Sequence, residues 1–292
     1  MITVWLPLTL FCAFSLATSD ALTKKALVHH NEYLIAWLRL LLTLPVLLAP
    51  LFFIPVPSLN QDFYSAVLIA LPLETAAALF YIRALKVSPL SLTLPFLAFT
   101  PVFLLVIPFL LLGEKITQTG GIGILLIAVG SYTLNLGETR KGLMEPFRAI
   151  RRERGALYMI IVAFLFSITS TLSKKAIAAS SPLFFASIYF PALVLLLTPF
   201  AIYFGKREMK GMFKNKAFKS ALLPSFFYSI MLITHMLAIS MAPVAYMISV
   251  KRLSLLIGVF YGHLFFKEKG FRERPLGTAL MLLGVVLITL NR

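Results

Sequence analysis

The chain has a single cysteine, Cys12, so no disulfide framework can hold it together. No His/Cys cluster has the spacing of a metal site. A Gly-x4-Gly-Lys-Ser/Thr loop, a His-Glu-x-x-His pair and a Gly-x-Ser-x-Gly elbow are all missing, so neither nucleotide hydrolysis, metal chemistry nor a bound cofactor is expected, and the chain does not read as an enzyme. Charge is scarce as well: 13% of residues are Asp, Glu, Lys or Arg, about half of what a soluble globular protein carries. With 60% apolar residues and a mean hydropathy of +0.92, disorder is excluded. A water-soluble fold of 292 residues has no interior large enough to hide so much apolar helix. The bilayer is the expected solvent.

Acidic residues are the scarcest charges, 11 against 27 Lys and Arg. Such an excess can mark a nucleic-acid partner when the cations share one solvated face. Here they sit in short clusters between apolar runs, the pattern of basic loops held on one side of a membrane, and no nucleic-acid partner is expected.

Runs long enough to span a bilayer as helix occur at 2–20, 33–54, 64–85, 90–112, 120–137, 156–173, 182–204, 217–240, 243–266 and 275–291. They are continuous rather than alternating, which selects helices over barrel strands. Breakers such as Pro55-Val-Pro57, Ser88-Pro89, Ser181-Pro182 and Ala242-Pro243 mark the joints. Ala17 to Ala21 behind the first run has the look of a signal-peptide cleavage site, although no basic segment precedes it.

An internal repeat argues for retaining that run. Leu22-Thr-Lys-Lys-Ala-Leu27 matches Leu172-Ser-Lys-Lys-Ala-Ile177, and Ala84-Leu-Lys-Val-Ser-Pro89 matches Ala238-Ile-Ser-Met-Ala-Pro243. Glu114-Lys115 falls on Glu268-Lys269, and Gly123 and Gly130 fall on Gly277 and Gly284. The expected fold is an all-α membrane protein of ten transmembrane helices arranged as two five-helix repeats, 1–139 and 156–292, joined by a basic loop at 140–155. Because five is odd, the second repeat enters the bilayer from the opposite side, and the interface of the two inverted copies falls near the midplane. Most Lys and Arg lie in loops after odd-numbered segments, notably Arg140 to Arg154, Lys206 to Lys219 and Lys267 to Arg274. The positive-inside rule then places those loops in the cytoplasm and both termini outside.

Ionisable residues inside the apolar runs are the candidate site. Glu74 lies at the centre of the third segment, where a charge is costly unless it meets a partner or a wet cavity, and a carboxyl held there is suited to carry a proton. Its simplest structural partner is Arg39 in the second segment. Lys251 and Arg252 lie ~12 Å inside the ninth segment at 1.5 Å per residue, and adjacent cations at that depth each need wet or acidic surroundings. Set against Glu74 and Asp20, the cations Arg39, Lys251 and Arg252 leave positive charge over, which favours an anionic substrate group. Tyr81 shares a helix face with Glu74, and the repeat sets Tyr228 and His235 opposite them. His263 stands near the end of the ninth segment. Pro95, Pro101 and Pro108 loosen the fourth segment and suit a gate that bends. Gly120, Gly123 and Gly130, with Gly277 and Gly284, permit close helix contact, either within the chain or in a homodimer.

The doubled five-helix pattern, with Gly113-Glu114-Lys115 after the fourth segment and Phe266-Lys-Glu-Lys269 after the ninth, each followed by a Gly-x6-Gly helix, resembles the drug/metabolite transporter superfamily in its EamA-like branch. The resemblance covers nearly the whole chain. It implies export or exchange of a small-molecule metabolite by alternating access, often coupled to protons, in a plasma (inner) membrane. It also implies termini in the cytoplasm, opposite to the loop charges. Ser249-Val-Lys-Arg-Leu253 resembles the Lys-Arg pair with which sugar-phosphate translocators of that superfamily hold phosphate, which would set Lys251 and Arg252 against a phosphorylated or otherwise anionic group. A flippase of an anionic lipid carrier and a non-transporting membrane scaffold subunit are the alternatives.

Overall fold

The computed structural model describes residues 2–89, 94–133, 154–214, 216–266 and 275–290. Of the basic loops expected at 140–155 and 267–274, residues 140–153 and 267–274, Glu268 and Lys269 among them, lie outside these residues, as does the side chain of Pro95, while Arg154 and Gly155 open a helix instead. Among the described residues every regular element is a helix. In chain order the α-helices are α1 (Ile2–Leu27), α2 (Glu32–Leu41), α3 (Leu44–Leu48), α4 (Gln61–Val87), α5 (Phe99–Phe103), α6 (Ile107–Leu112), α7 (Gln118–Thr133), α8 (Arg154–Ala178), α9 (Pro182–Met209), α10 (Ala217–Met241), α11 (Val244–Lys251), α12 (Ser254–Phe266) and α13 (Pro275–Leu290). Seven described stretches, from Val4–Leu27 to Val244–Phe265, are long and apolar enough to cross a membrane, and Pro275–Leu290 is a shorter apolar helix.

Local chemistry explains where these helices start and stop. Asn31 opens α2 by accepting hydrogen bonds from the amides of Tyr33 and Leu34 at 2.9 and 3.3 Å. Asn60 and Ser181 do the same for α4 and α9 through the amides of Phe63 and Phe184. Gly113, at φ 66°, closes α6 in a left-handed turn whose paired backbone bonds, Gly113 to Phe109 and Glu114 to Pro108, satisfy the last carbonyls.

Three expected helices are broken. The second segment ends α2 at Leu41 and restarts as α3, because Pro45 has no amide to give to the preceding turn. The fourth begins as a 3₁₀ turn, Leu94–Ala98, continues as α5, and restarts as α6 with Pro108 in its first turn. The ninth, with neither proline nor glycine at the joint, breaks between Lys251 and Ser254. There the ladder tightens into short i+3 bonds, Arg252 to Ser249 and Leu253 to Val250, both 3.0 Å. Lys251 and Arg252 are therefore the last residue and the C-cap of a half-helix, not neighbours on a continuous one. The first segment errs in the other direction. Lys24 and Lys25 lie inside α1, which runs on to Leu27, and Asp20 is buried well inside the helix rather than near its end.

The packing follows the sequence repeat. The first helix of each half lies along the third of the other: α1 meets α10 where Cys12 approaches the Met231 carbonyl at 3.5 Å and Ser19 bonds the Pro224 carbonyl at 2.8 Å. Likewise α4 lies along α8, where Phe80 and Tyr158 rings approach at 5.6 Å and Asp62 pairs with Lys175 at 2.8 Å. The second helices pair with each other, Tyr33 against Phe204, Trp37 to Thr198 and Ser187 to the Leu47 carbonyl. The last helices, α7 and α13, also pair. A Cβ added at Gly123 would stand 2.6 Å from the Gly284 carbonyl oxygen, and one at Gly130 would stand 2.7 Å from that of Gly277. In all four pairs, rising numbers on one helix meet falling numbers on the other, so the partners run antiparallel. These glycines are consumed by packing within the chain, and Gly120 makes room for the Tyr246 ring.

Candidate functional site

The four antiparallel pairs leave a cavity between the halves of the chain. It has about 110 Å³ of space for water centres, where a single water needs ~10–15 Å³. Its lining includes Arg39, Glu74, Tyr81, Tyr228, His235, Lys251 and Arg252. Every ionisable or aromatic residue singled out as substrate- or proton-binding from the sequence thus borders one chamber, with contributions from α2, α4, α10 and the α11–α12 joint. The prolines lie elsewhere: Pro101 and Pro108 are buried in α5 and α6, and neither is among the lining residues.

The pairing inside the chamber differs from the simplest expectation. Arg39 does not meet Glu74. Its Nη2 lies 3.0 Å from Asp20 Oδ1, with both side chains almost fully buried, and its guanidinium carbon stands 3.9 Å above the Tyr228 ring. The other Asp20 oxygen accepts a hydrogen bond from the Tyr81 hydroxyl. Asp20, Arg39, Tyr81 and Tyr228 therefore form one network across α1, α2, α4 and α10, in which the carboxylate neutralises Arg39 and the phenol face covers it. The reason Glu74 is excluded is geometric. It sits on the α8 side of α4, against Thr169, two turns below Tyr81, whereas Asp20 lies level with Arg39.

With Arg39 neutralised, Lys251, Arg252 and Glu74 remain. Lys251 Nζ lies 3.2 Å from His235 Nδ1. Arg252, 3% exposed, donates from Nη2 to Thr100 Oγ1 at 2.7 Å, while its Nε has no hydrogen-bond partner among the described residues. That bond joins the α11–α12 break to the interrupted fourth segment, so each half contributes one broken helix to the same corner of the chamber. No described carboxylate touches either cation, and the chamber wall beside them keeps a local positive excess.

Four residues around the chamber carry no signal in the sequence: Thr169, Ser170, Tyr189 and Thr100. Asp20, weighed from the sequence against the cations, stands well inside α1 because the helix runs past the apolar stretch through Lys24 and Lys25, whose charges suit a helix C-terminus. The Thr169 side chain hydrogen-bonds Glu74 and Ser170 lines the chamber, and nothing in an isolated Ser/Thr pattern marks them. Tyr189 also lines the chamber, and its buried hydroxyl has no hydrogen-bond partner among the described residues. No local pattern marks Thr100, beside Pro101, as the acceptor for Arg252 in the other half.

No curated protein matches this sequence. A solved structure titled "Crystal structure of protein" superposes with a TM-score of 0.71 at 16% identity, covering 97% of this chain and 96% of that one, which establishes a shared fold. The profile of the EamA-like transporter family matches residues 3–136 and again residues 153–290, so that the two matches together take in both halves of the internal repeat. With both halves matched and apolar helices throughout, the chain belongs to the EamA-like transporter family, and is a multi-pass integral membrane transporter of small solutes.

Proposed function

We propose that this protein is a secondary transporter in which two inverted five-helix halves, about 1–139 and 156–292, cross a plasma (inner) membrane ten times and close alternately over the central chamber. The observation that carries this reading is the convergence of buried ionic side chains from both halves on one cavity between antiparallel helix pairs. In this reading the substrate is a small metabolite with an anionic or phosphorylated group. Lys251 and Arg252, which touch no carboxylate among the described residues, hold that group; Tyr228 and His235 complete the pocket; Glu74 carries the coupling proton. The broken fourth and ninth segments, with Pro101 and Pro108 in the fourth, let the walls bend.

Purified protein in liposomes tests the reading. Solute counterflow is the expected result, with anionic metabolites identified first by the rise they produce in the melting temperature. Lys251→Ala and Arg252→Ala each weaken that ligand by about tenfold or more, the loss of a charge-assisted hydrogen bond worth about 1.5–3 kcal/mol. Equal binding by wild type and both variants would leave the pair a structural role, and absence of any solute flux would favour a scaffold.

A further inference from the structure

The end of the molecule where α9 finishes and α10 begins carries a feature that transport does not use. The apolar stretch of α9 stops at Phe204, yet the helix continues through Lys206, Arg207 and Glu208 to Met209 before the chain turns back. Lys206, Arg207, Lys210, Lys214, Lys216 and Lys219 are all exposed. The one carboxylate in this stretch, Glu208, is engaged by the Asn31 amide at 3.1 Å and by His30 at 3.5 Å. Among the described residues none of the six cations has an ion-pair partner. Other cations near the helix ends behave differently: Lys86 pairs with Glu32 at this same end, and Lys174 and Lys175, which close α8 at the opposite end, pair with Glu114 and Asp62.

These cations sit on an ordered support. Met209, Met212 and Phe218 pack on a small core of Leu34, Leu38, Ala217 and Ala221. The Phe218 amide bonds the Met212 carbonyl at 3.2 Å, and Lys216 takes a left-handed φ of 65° to close the turn. Aromatic rings flank the cluster at the level where helix gives way to turn. Tyr203 is 79% and Phe213 66% exposed, as rings resting among lipid headgroups are.

We propose that the cations of 206–214 and 216–219, where α9 ends and α10 begins, form a docking surface for the phosphate-bearing headgroups of anionic phospholipids in the adjoining leaflet. The charge requires a partner of opposite sign, the described residues offer none, and the flanking rings place these cations at headgroup depth, where polybasic segments are attracted to anionic lipid within a Debye length. A turn already ordered by its own core presents these cations together, so that one or more lipids can be held without first folding a loop.

The test uses the full chain in nanodiscs of phosphatidylcholine with and without phosphatidylglycerol, reading lipid retained by native mass spectrometry and the melting temperature. Wild type retains phosphatidylglycerol selectively, melts higher in its presence, and loses both effects in ~0.5 M salt. The variant Lys206→Gln/Lys210→Gln/Lys214→Gln/Lys219→Gln melts like wild type in pure phosphatidylcholine but retains about tenfold less phosphatidylglycerol or below, while the matching Lys→Arg variant behaves as wild type. The proposal is overturned if the glutamine variant responds to phosphatidylglycerol as wild type does, if the wild-type response is insensitive to salt, or if inorganic phosphate in phosphatidylcholine discs produces the same rise. Should the glutamine variant melt lower in pure phosphatidylcholine, the salt response of wild type decides alone.

Discussion

Replacing Asp20 by Asn removes the negative charge facing Arg39 without changing the size of the side chain. At 3.0 Å and an effective dielectric constant of about 20, the Coulomb attraction between the two charges is roughly 5.5 kcal/mol. Part of it offsets the cost of having taken both ions out of water. Removing one partner leaves the other charge buried and alone, which costs about 3–5 kcal/mol. Arg39→Gln should cost a similar amount for the mirrored reason. The double variant, with two neutral amides that can bond each other, should recover most of the loss; with about 1 kcal/mol lost in the double, the coupling energy is about 5–9 kcal/mol. For a chain of this length each kcal/mol corresponds to ~2 °C of melting temperature, so each single variant should melt roughly 6–10 °C lower in detergent and the double only slightly lower. The same cycle bears on binding. Asp20→Asn leaves Arg39 as a third uncompensated cation beside the chamber, so an anionic solute should bind the surviving folded fraction more tightly than it binds wild type. Two single variants each costing under about 1 kcal/mol, with effects that simply add, would show that the pair is not desolvated and that the network built on Asp20 does not hold Arg39.

Three further outcomes follow from other parts of the molecule. Glu74→Gln, which preserves shape and the contact with Thr169, should abolish flux driven by a pH gradient while leaving solute exchange at zero gradient intact; unchanged gradient-driven flux would remove Glu74 from coupling. Gly123→Ala places a methyl group 2.6 Å from the Gly284 carbonyl oxygen and 2.9 Å from Ile288 Cγ1, so α7 and α13 must separate at a cost of about 1–3 kcal/mol. Gly121→Ala two positions earlier meets nothing nearer than Ile116 Cδ1 at 3.8 Å and should not lower the melting temperature, an internal control that fails if both variants behave alike. Lys174→Met strips the partner from Glu114 and from the Ala242 carbonyl, which Lys174 bonds at 2.6 Å. A loss of about 1–3 kcal/mol is expected in thermal unfolding, and most of it should return when Glu114→Gln is added.

Hydropathy, helical run length and the doubled Lys-Lys, Ser/Ala-Pro and Gly-x6-Gly landmarks belong to the sequence by itself, because each is a local property that any bilayer-embedded chain must display. They were enough to place Glu74, Lys251 and Arg252 at depth and to align Tyr81 with His235 across the repeat. The identity of each ionic partner was another matter. Arg39 meets Asp20 rather than Glu74 because the antiparallel packing of α1, α2 and α4 fixes which residues stand at the same height, and that register depends on helix ends the apolar pattern misplaced. The break beside Arg252 was equally illegible, since no proline or glycine announces it; it is defined by tightened backbone bonds and by a hydrogen bond to Thr100 in the other half. The four glycines could have served a dimer or the chain's own interior, and only the contact of Gly123 with Gly284 and of Gly130 with Gly277 assigned them to the interior. Depth in the membrane is written along the chain, whereas pairing is decided between segments far apart in sequence, where only the tertiary fold brings the charges face to face.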